Sequence, residues 1–112
     1  MKEKKPNLNL FESEELPFTE ELTTVLYENP KMRVERILSM GQASPEGFWY
    51  DQEELEWLTL LTGDALIEYE DGRAVTLHAG EMLTIEPHER HRVAYTSVEP
   101  LCTWLCVFLK EC

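Results

Sequence analysis

From Met32 to the C-terminus, the sequence is a series of short segments that favour β-strands, separated by turns that recur about every 8–12 residues. The clearest turn is Asp71-Gly72, which separates "ALIEYE" from "RAVTLH" and is a typical two-residue β-hairpin connection. Glycine also follows "EWLTLLT" and precedes "EMLTI", while Pro100 separates "HRVAYTSV" from "LCTWLCVFL". Many short strands at this spacing are typical of a sandwich or a barrel, so the sequence predicts an all-β domain over residues 32–112.

Residues 1–31 are expected to form an N-terminal arm with one short helix. Thr19 is a favourable helix N-cap, and three apolar residues follow it at the spacing i, i+3 and i+4, namely Leu22, Val25 and Leu26. This pattern favours a helix from about Glu20 to Tyr27. Nearer the N-terminus, the alternating segment "LNLF", Leu8 to Phe11, is compatible with a short edge strand.

The charge of the chain limits its partners. Lysine and arginine number 10 and aspartate and glutamate 22, which gives a formal net charge of −12. Such an acidic surface repels phosphate groups, which argues against nucleic acid or an anionic membrane as a partner. No apolar run approaches the roughly 20 residues that cross a bilayer, and no apolar signal segment follows the basic start "MKEKK". We therefore expect a cytoplasmic protein.

The cysteines are expected to be packed thiols. Cys102 and Cys106 lie four residues apart on one predicted strand, which separates them by about 13 Å. That distance is too long for a disulfide, and the third cysteine, Cys112, leaves the number odd.

The segment Glu56–Thr62 is apolar on both faces of its predicted strand. Glu56 shares one face with Leu58 and Leu60, and the other face carries Trp57, Thr59 and Leu61. Such a strand is buried on both sides, either in a barrel wall covered outside or in a dimer interface. A carboxylate buried there requires a metal, a cation or a hydrogen-bond donor, or else has a raised pKa. The alternative is that Glu56 lies at the strand end, near solvent.

His91 begins another alternating strand, in which His91, Val93, Tyr95 and Ser97 share a face. If Val93 points into the core, His91 and Tyr95 point there too. The alternative for His91 is a core histidine whose hydrogen bonds are satisfied. His88 lies three residues earlier in the turn, and His78 ends a strand, where we expect it to be exposed.

Two spacings resemble those of a known family. Glu56, six residues and Gly63 reproduce the end of G-x5-H-x-H-x3–4-E-x6-G. Gly80, "EMLTI", Glu86 and then His91 reproduce the spacing of G-x5-P-x-G-x2-H-x3-N. These are the two motifs of the cupins. The segment "ERILSMGQASPEGFWYDQ" is also similar to a subgroup of small single-domain cupins. The resemblance covers about Met32 to Leu109 and implies a cupin jelly-roll barrel, also called a double-stranded β-helix.

The chain departs from the cupin pattern at several motif positions. The H-x-H pair is absent: with three intervening residues its places fall on Tyr50 and Gln52, and with four they fall on Trp49 and Asp51. Strand parity favours the first register. In the second motif the proline is replaced by Glu86, the glycine by His88 and the asparagine by Tyr95.

The resemblance implies a metal site, since cupins hold iron, manganese, zinc or nickel with three histidines and a glutamate. Only Glu56 and His91 keep a ligand type, and Gln52, Asp51 or His88 would have to complete the site. Imidazole and carboxylate together suit a divalent transition metal. The candidate catalytic residues are Glu56, His91 and Tyr50.

Three functions remain open at this point. The first is a metal-dependent or metal-assisted enzyme that acts on a small molecule at the barrel mouth. The second is a non-catalytic, metal-free cupin that binds a ligand or simply forms a dimer. The third is a metal-free enzyme in which Glu56 and His91 move protons.

Single-domain cupins commonly pair through a sheet, so a homodimer is expected. The arginines Arg33, Arg36 and Arg92 either recognise an anionic ligand or neutralise neighbouring acids.

Overall fold

The structure is a computed structural model that describes residues 8–13 and 17–110. These residues form eight β-strands and no helix: β1 Leu22–Asn29, β2 Met32–Ser39, β3 Leu55–Thr62, β4 Asp64–Tyr69, β5 Ala74–His78, β6 Met82–Ile85, β7 His91–Thr96 and β8 Cys102–Leu109. One sheet has the order β1-β2-β8-β3-β6 and the other β5-β4-β7, with every pairing antiparallel. The predicted all-β class is confirmed. Within the described part of the chain, no helix is long and apolar enough to cross a membrane.

The predicted N-terminal helix is wrong, because that segment is strand β1. It pairs with β2, with Leu22 opposite Leu38 and Asn29 opposite Met32. Exposure alternates along it from residue to residue. The β-branched run "TTV" is stiff in a helix, and pairing with β2 overrides the local preference. The pairing skips Leu26, so a β-bulge accounts for the spacing that imitated a helix.

The segment "LNLF" is a turn, so the predicted edge strand is wrong. The Asn9 side chain accepts a hydrogen bond from the backbone N–H of Phe11 at 2.9 Å, and the Asn9 carbonyl accepts one from Glu12 at 3.2 Å. Asparagine commonly closes turns in this way, since its side chain imitates a backbone acceptor.

The core lies between the two sheets and is apolar. Its buried members come from both sheets and include Leu58, Leu60, Ile67, Leu77, Ile85 and Trp104. Burying one such aliphatic side chain contributes about 1.5–3 kcal/mol. Cys102 and Cys106 are buried free thiols in this core, as predicted, while Cys112 lies outside the described residues.

Candidate functional site at the barrel mouth

A cavity of about 300 Å³ lies between the inner faces of the two sheets. Its wall mixes apolar, aromatic and ionisable side chains, which is typical of ligand pockets. The lining residues are Glu21, Thr23, Arg33, Glu35, Ile37, Tyr50, Gln52, Glu56, Leu58, Ile67, Ile85, His91, Val93, Trp104, Cys106 and Phe108.

Glu56 is a buried carboxylate in this wall. It lies near the start of β3, opposite Phe108 of β8 and Ile85 of β6, and is only 7% exposed. Burial raises the pKa of Glu56, because the charged form loses its water. A hydrogen bond from Gln52 Nε2 to Glu56 Oε1, 3.0 Å long, opposes that rise, as do His91 and the Cys106 thiol. Glu56 is therefore held inside the barrel and not at a solvated strand end.

His91 faces Glu56 across the cavity. It begins β7 opposite Tyr69 and is 5% exposed. His91 Nδ1 lies 2.9 Å from the carbonyl oxygen of Glu89, and since a carbonyl only accepts, Nδ1 carries the proton of this bond. The other nitrogen, Nε2, lies 4.0 Å from Glu56 Oε1. Within the described part of the chain Nε2 has no hydrogen-bond partner, so two buried acceptors face each other across this gap.

Tyr50 is bound to His91 through backbone and ring. The two residues exchange backbone hydrogen bonds of 2.7 and 3.2 Å, which attach the loop before β3 to the edge of β7. Their rings stack with centroids 5.4 Å apart. Burial raises the pKa of Tyr50, and the charges of Glu21 and Glu56 add to this. Tyr50 and Gln52 therefore take the two H-x-H places that face the cavity.

Asp51 and His88 do not line the cavity. They are exposed and contact each other, with His88 Nδ1 2.7 Å from Asp51 Oδ1. The His88 backbone N–H also donates to the Gln52 carbonyl at 2.7 Å. His88 has a φ of 62°, in the left-handed region that favours the glycine of the family motif. The structure thus does not bring these two candidate metal ligands to Glu56 and His91.

The residues of the site supply an incomplete donor set for a resident metal. Among the described residues, no group of three or more histidines, cysteines, aspartates and glutamates is arranged to hold an ion. Of the four family positions, Glu56 and His91 offer typical donors, Tyr50 stacks on His91, and Gln52 turns its amide nitrogen towards Glu56. Catalytic metal centres in proteins ordinarily have at least three protein ligands.

Tyr95 does not share the face of His91, so that prediction is wrong. In the pairing of β4 with β7, Leu66 lies opposite Tyr95 and the next residue, Ile67, lies opposite Val93. Ala94 therefore has no partner on β4 and forms a β-bulge. This bulge reverses the parity of β7. Tyr95 is accordingly 53% exposed.

Sequence reasoning did not assign Glu21, Glu35 and Cys106 to the site, although all three line the cavity. Alternation along β2 could have placed Glu35 there, because it lies between Arg33 and Ile37 on one face. For Arg33 the sequence leaves two roles open, recognition of an anionic ligand and neutralisation of neighbouring acids. Its guanidinium contacts Glu35 at 2.7 Å and Glu54 at 3.1 and 3.2 Å, so it neutralises acids.

Two antiparallel sheets around a mouth that carries a carboxylate and an imidazole define a small cupin-type barrel. The family model described as "Cupin domain" matches residues 37–108, and the chain belongs to the cupin family.

Solved structures agree with this assignment. The chain is 37% identical to a "putative mannose-6-phosphate isomerase" from Ralstonia eutropha JMP134, with a TM-score of 0.88 over 94% of this chain and 98% of that one. A cupin superfamily protein from Desulfitobacterium hafniense DCB-2 is 15% identical, with a TM-score of 0.73 over 87% and 84%. An RmlC-like cupin from Shewanella frigidimarina NCIMB 400 is 16% identical, with a TM-score of 0.67 over 81% and 77%. No curated protein sequence matches the chain.

Proposed function

We propose that this protein binds a small molecule in the barrel cavity and holds a hydrogen-bond donor of that molecule between Glu56 and His91. The observation that carries the proposal is the 4.0 Å gap between Glu56 Oε1 and His91 Nε2, two buried acceptors with no donor between them. One donor atom can lie about 2.9 Å from both. Glu56 Oε1 already accepts a hydrogen bond from Gln52, so a donor in this gap would add a partner for His91 Nε2, which has none among the described residues.

The same pair is suited to accept a proton from the bound molecule. The lone pair of His91 Nε2 points into the cavity, because Nδ1 is engaged with the Glu89 carbonyl. An imidazolium formed there would be stabilised by the Glu56 carboxylate and would keep its bond to that carbonyl. Glu89 thus acts through its backbone as a positioning group for the imidazole.

A divalent transition metal is the alternative occupant of the gap. Glu56 and His91 would hold such an ion, and its other ligands would have to come from water or the bound molecule. The incomplete donor set favours an organic donor over iron, manganese, zinc or nickel.

A sugar phosphate, the substrate class in the name of the Ralstonia relative, does not match the charges of this cavity. A sugar phosphate is a dianion, and phosphate is ordinarily bound by free arginines, lysines or backbone N–H groups. The cavity wall contains one arginine, Arg33, which already contacts Glu35 and Glu54. The charges of the wall therefore argue against a phosphorylated ligand.

The cytoplasm is the proposed location. Cys102 and Cys106 are buried free thiols, and thiols persist in a reducing compartment.

A screen with nuclear magnetic resonance tests the proposed site. A panel of small organic molecules would be added to protein purified without chelator or histidine tag, and the imidazole signals of His91 and of the exposed His78 would be followed. We expect ligands that shift the His91 signals and leave those of His78 unchanged. Glu56→Gln should weaken their binding.

Two results would count against an organic donor in this gap. One is that no panel member shifts the His91 signals of the folded protein. The other is one equivalent of a transition metal per chain in elemental analysis, which would establish the metal alternative instead.

A further inference from the structure

The cavity wall is rich in negative charge. Glu21, Glu35 and Glu56 line it, and Arg33 is its one arginine. That guanidinium binds Glu35 through Nε and Glu54 through both terminal nitrogens. The three lining carboxylates, the carboxylate of Glu54 and the guanidinium of Arg33 together carry a formal charge of −3.

The charges of these carboxylates affect groups that line the same cavity. Burial raises the pKa of Glu56, and the charge of Glu35 raises it further. Burial likewise raises the pKa of Cys106, with added contributions from Glu56, Glu35 and Glu21. The carboxylates of Glu35 on β2 and Glu21 just before β1 therefore raise the pKa of groups on the strands β3 and β8. The cavity is a region of negative potential that a bound cation would relieve.

The wall also supplies aromatic surface. Tyr50, Trp104 and Phe108 line the cavity, and the Arg33 guanidinium lies 4.4 Å from the centre of the Phe108 ring. The faces of aromatic rings attract cations, most strongly where water is excluded. The Arg33 guanidinium is thus a cation that this wall already binds, through two carboxylates and the face of the Phe108 ring.

An adjoining groove extends the acidic surface outwards. Its volume is about 270 Å³, and it shares Glu21, Tyr50 and Val93 with the cavity while adding Glu20. Its lining residues include no lysine or arginine. A path lined by one sign of charge steers ligands of the opposite sign.

We propose that the ligand is a small organic cation, whose protonated amine lies between Glu56 and His91 and whose apolar body lies against Tyr50 and Trp104. This rests on the proposed function. Both atoms at the gap are acceptors, and an ammonium group can donate one hydrogen bond to each while its charge offsets the carboxylates. The cavity equals the volume of about ten waters, so a molecule of about ten non-hydrogen atoms fits inside it.

Three probes of similar size and different charge test this inference: 2-phenylethylamine, 2-phenylethanol and phenylacetate. Dissociation constants would be measured by titration calorimetry near neutral pH, at low and at high salt, with the His91 imidazole signals followed in parallel. We expect the amine to bind at least about tenfold more tightly than the alcohol, and the carboxylate to bind least. The preference should shrink at high salt.

A matched pair of variants separates cavity charge from general surface charge. Glu21→Gln removes a carboxylate from the cavity mouth and keeps an acceptor for the Ser39 hydroxyl, which donates to Glu21 at 2.9 Å. Glu99→Gln makes the same charge change at an exposed position outside the lining. We expect Glu21→Gln to weaken amine binding about fivefold and Glu99→Gln to leave it unchanged.

Each contrary outcome has a distinct meaning. If phenylacetate or 2-phenylethanol binds more tightly than the amine and shifts His91, the cation inference fails and the proposed site stands. Equal effects of Glu21→Gln and Glu99→Gln also overturn the inference. Binding of manganese or zinc alone, with no amine binding, overturns it as well. If no probe and no panel member shifts His91, the proposed function fails too.

Discussion

At the scale of single residues, Glu56 is a residue of the proposed site whose burial lowers the stability of the folded protein. It is 7% exposed and carries one hydrogen bond from Gln52 at 3.0 Å. Burial raises its pKa, so the folded protein holds this proton more tightly than the unfolded chain does. Binding sites commonly sacrifice stability in this way.

Glu56→Gln is therefore expected to stabilise the protein at neutral pH. Each unit by which a pKa is raised corresponds to about 1.4 kcal/mol, and we expect a gain on the order of 1 kcal/mol in urea unfolding near pH 7.5. For the wild type, stability falls as the pH rises from the ordinary glutamate value of 4.5 through the raised pKa of Glu56. The gain should thus vanish below pH 4.5. A loss of stability at neutral pH, compared with Glu99→Gln, would contradict this account.

Gly63, which ends the E-x6-G motif, lies where an added side chain would meet both backbone strain and a steric clash. Its φ is +87°, and an added Cβ would lie 2.8 Å from Cys102 Sγ and from the Leu101 carbonyl oxygen. Gly72 has a similar φ of +103° but no atom within 4 Å of such a Cβ. Gly72→Ala should lose about 1–2 kcal/mol through its backbone alone. Gly63→Ala should lose about 1–3 kcal/mol more through the clash, measured by urea unfolding. Equal losses would show that backbone conformation alone requires glycine at both positions.

At the scale of elements, the sequence predicts the strands from Met32 onward because alternation and turns are local signals. It fails at β1, because pairing with β2 is a tertiary interaction that local propensity does not contain. It fails for Tyr95 because the bulge at Ala94 depends on the partner strand β4. Motif spacing and strand parity predict the four residues that line the cavity at the family's ligand positions, namely Tyr50, Gln52, Glu56 and His91. They do not predict the contact between Asp51 and His88, because it depends on how two loops meet.

The N-terminal arm is attached to the sheet through Arg36, an outward-facing residue of β2 that is 8% exposed. Its Nη1 donates to the Glu12 carbonyl at 2.7 Å and the Leu10 carbonyl at 3.4 Å. Removal of residues 1–13 should therefore destabilise the protein by about 1.5–3 kcal/mol, the range for hydrogen bonds to charged groups.

A double-mutant cycle isolates this attachment. Arg36→Met should be more harmful in the full chain than in the truncated one, because the carbonyl partners are present only in the full chain. Arg90→Met, which changes an exposed arginine 3.5 Å from Glu70, provides the matched control and should be additive with the truncation. Additive behaviour of Arg36→Met in urea unfolding would show that the arm is held by other contacts.

At the scale of the whole molecule, the outer face of the five-stranded sheet is the feature that points to self-association. Pairing places Tyr27, Val34, Val107 and Trp57 in one row across four strands. The last three are half-buried and lie outside the buried core cluster, and Tyr27 is 56% exposed. The neighbouring row adds Leu105 and Met82, the latter 48% exposed. Arg36 and Thr59 interrupt this second row, so the apolar first row is the candidate interface.

We expect this face to form a symmetric dimer, with light scattering giving twice the 13.1 kDa mass of the chain. In a two-fold interface each substitution occurs twice, so Val107→Glu places two carboxylates in the apolar contact, where they are desolvated and repel each other. The variant should be monomeric and remain folded, because Val107 lies outside the core cluster. Thr76→Glu adds the same charge to an exposed position on the other sheet and should stay dimeric. A wild type that is monomeric at every concentration, or a Val107→Glu variant that is still dimeric, would contradict this prediction. The apolar row would then only cover the outer surface of β2, β8 and β3.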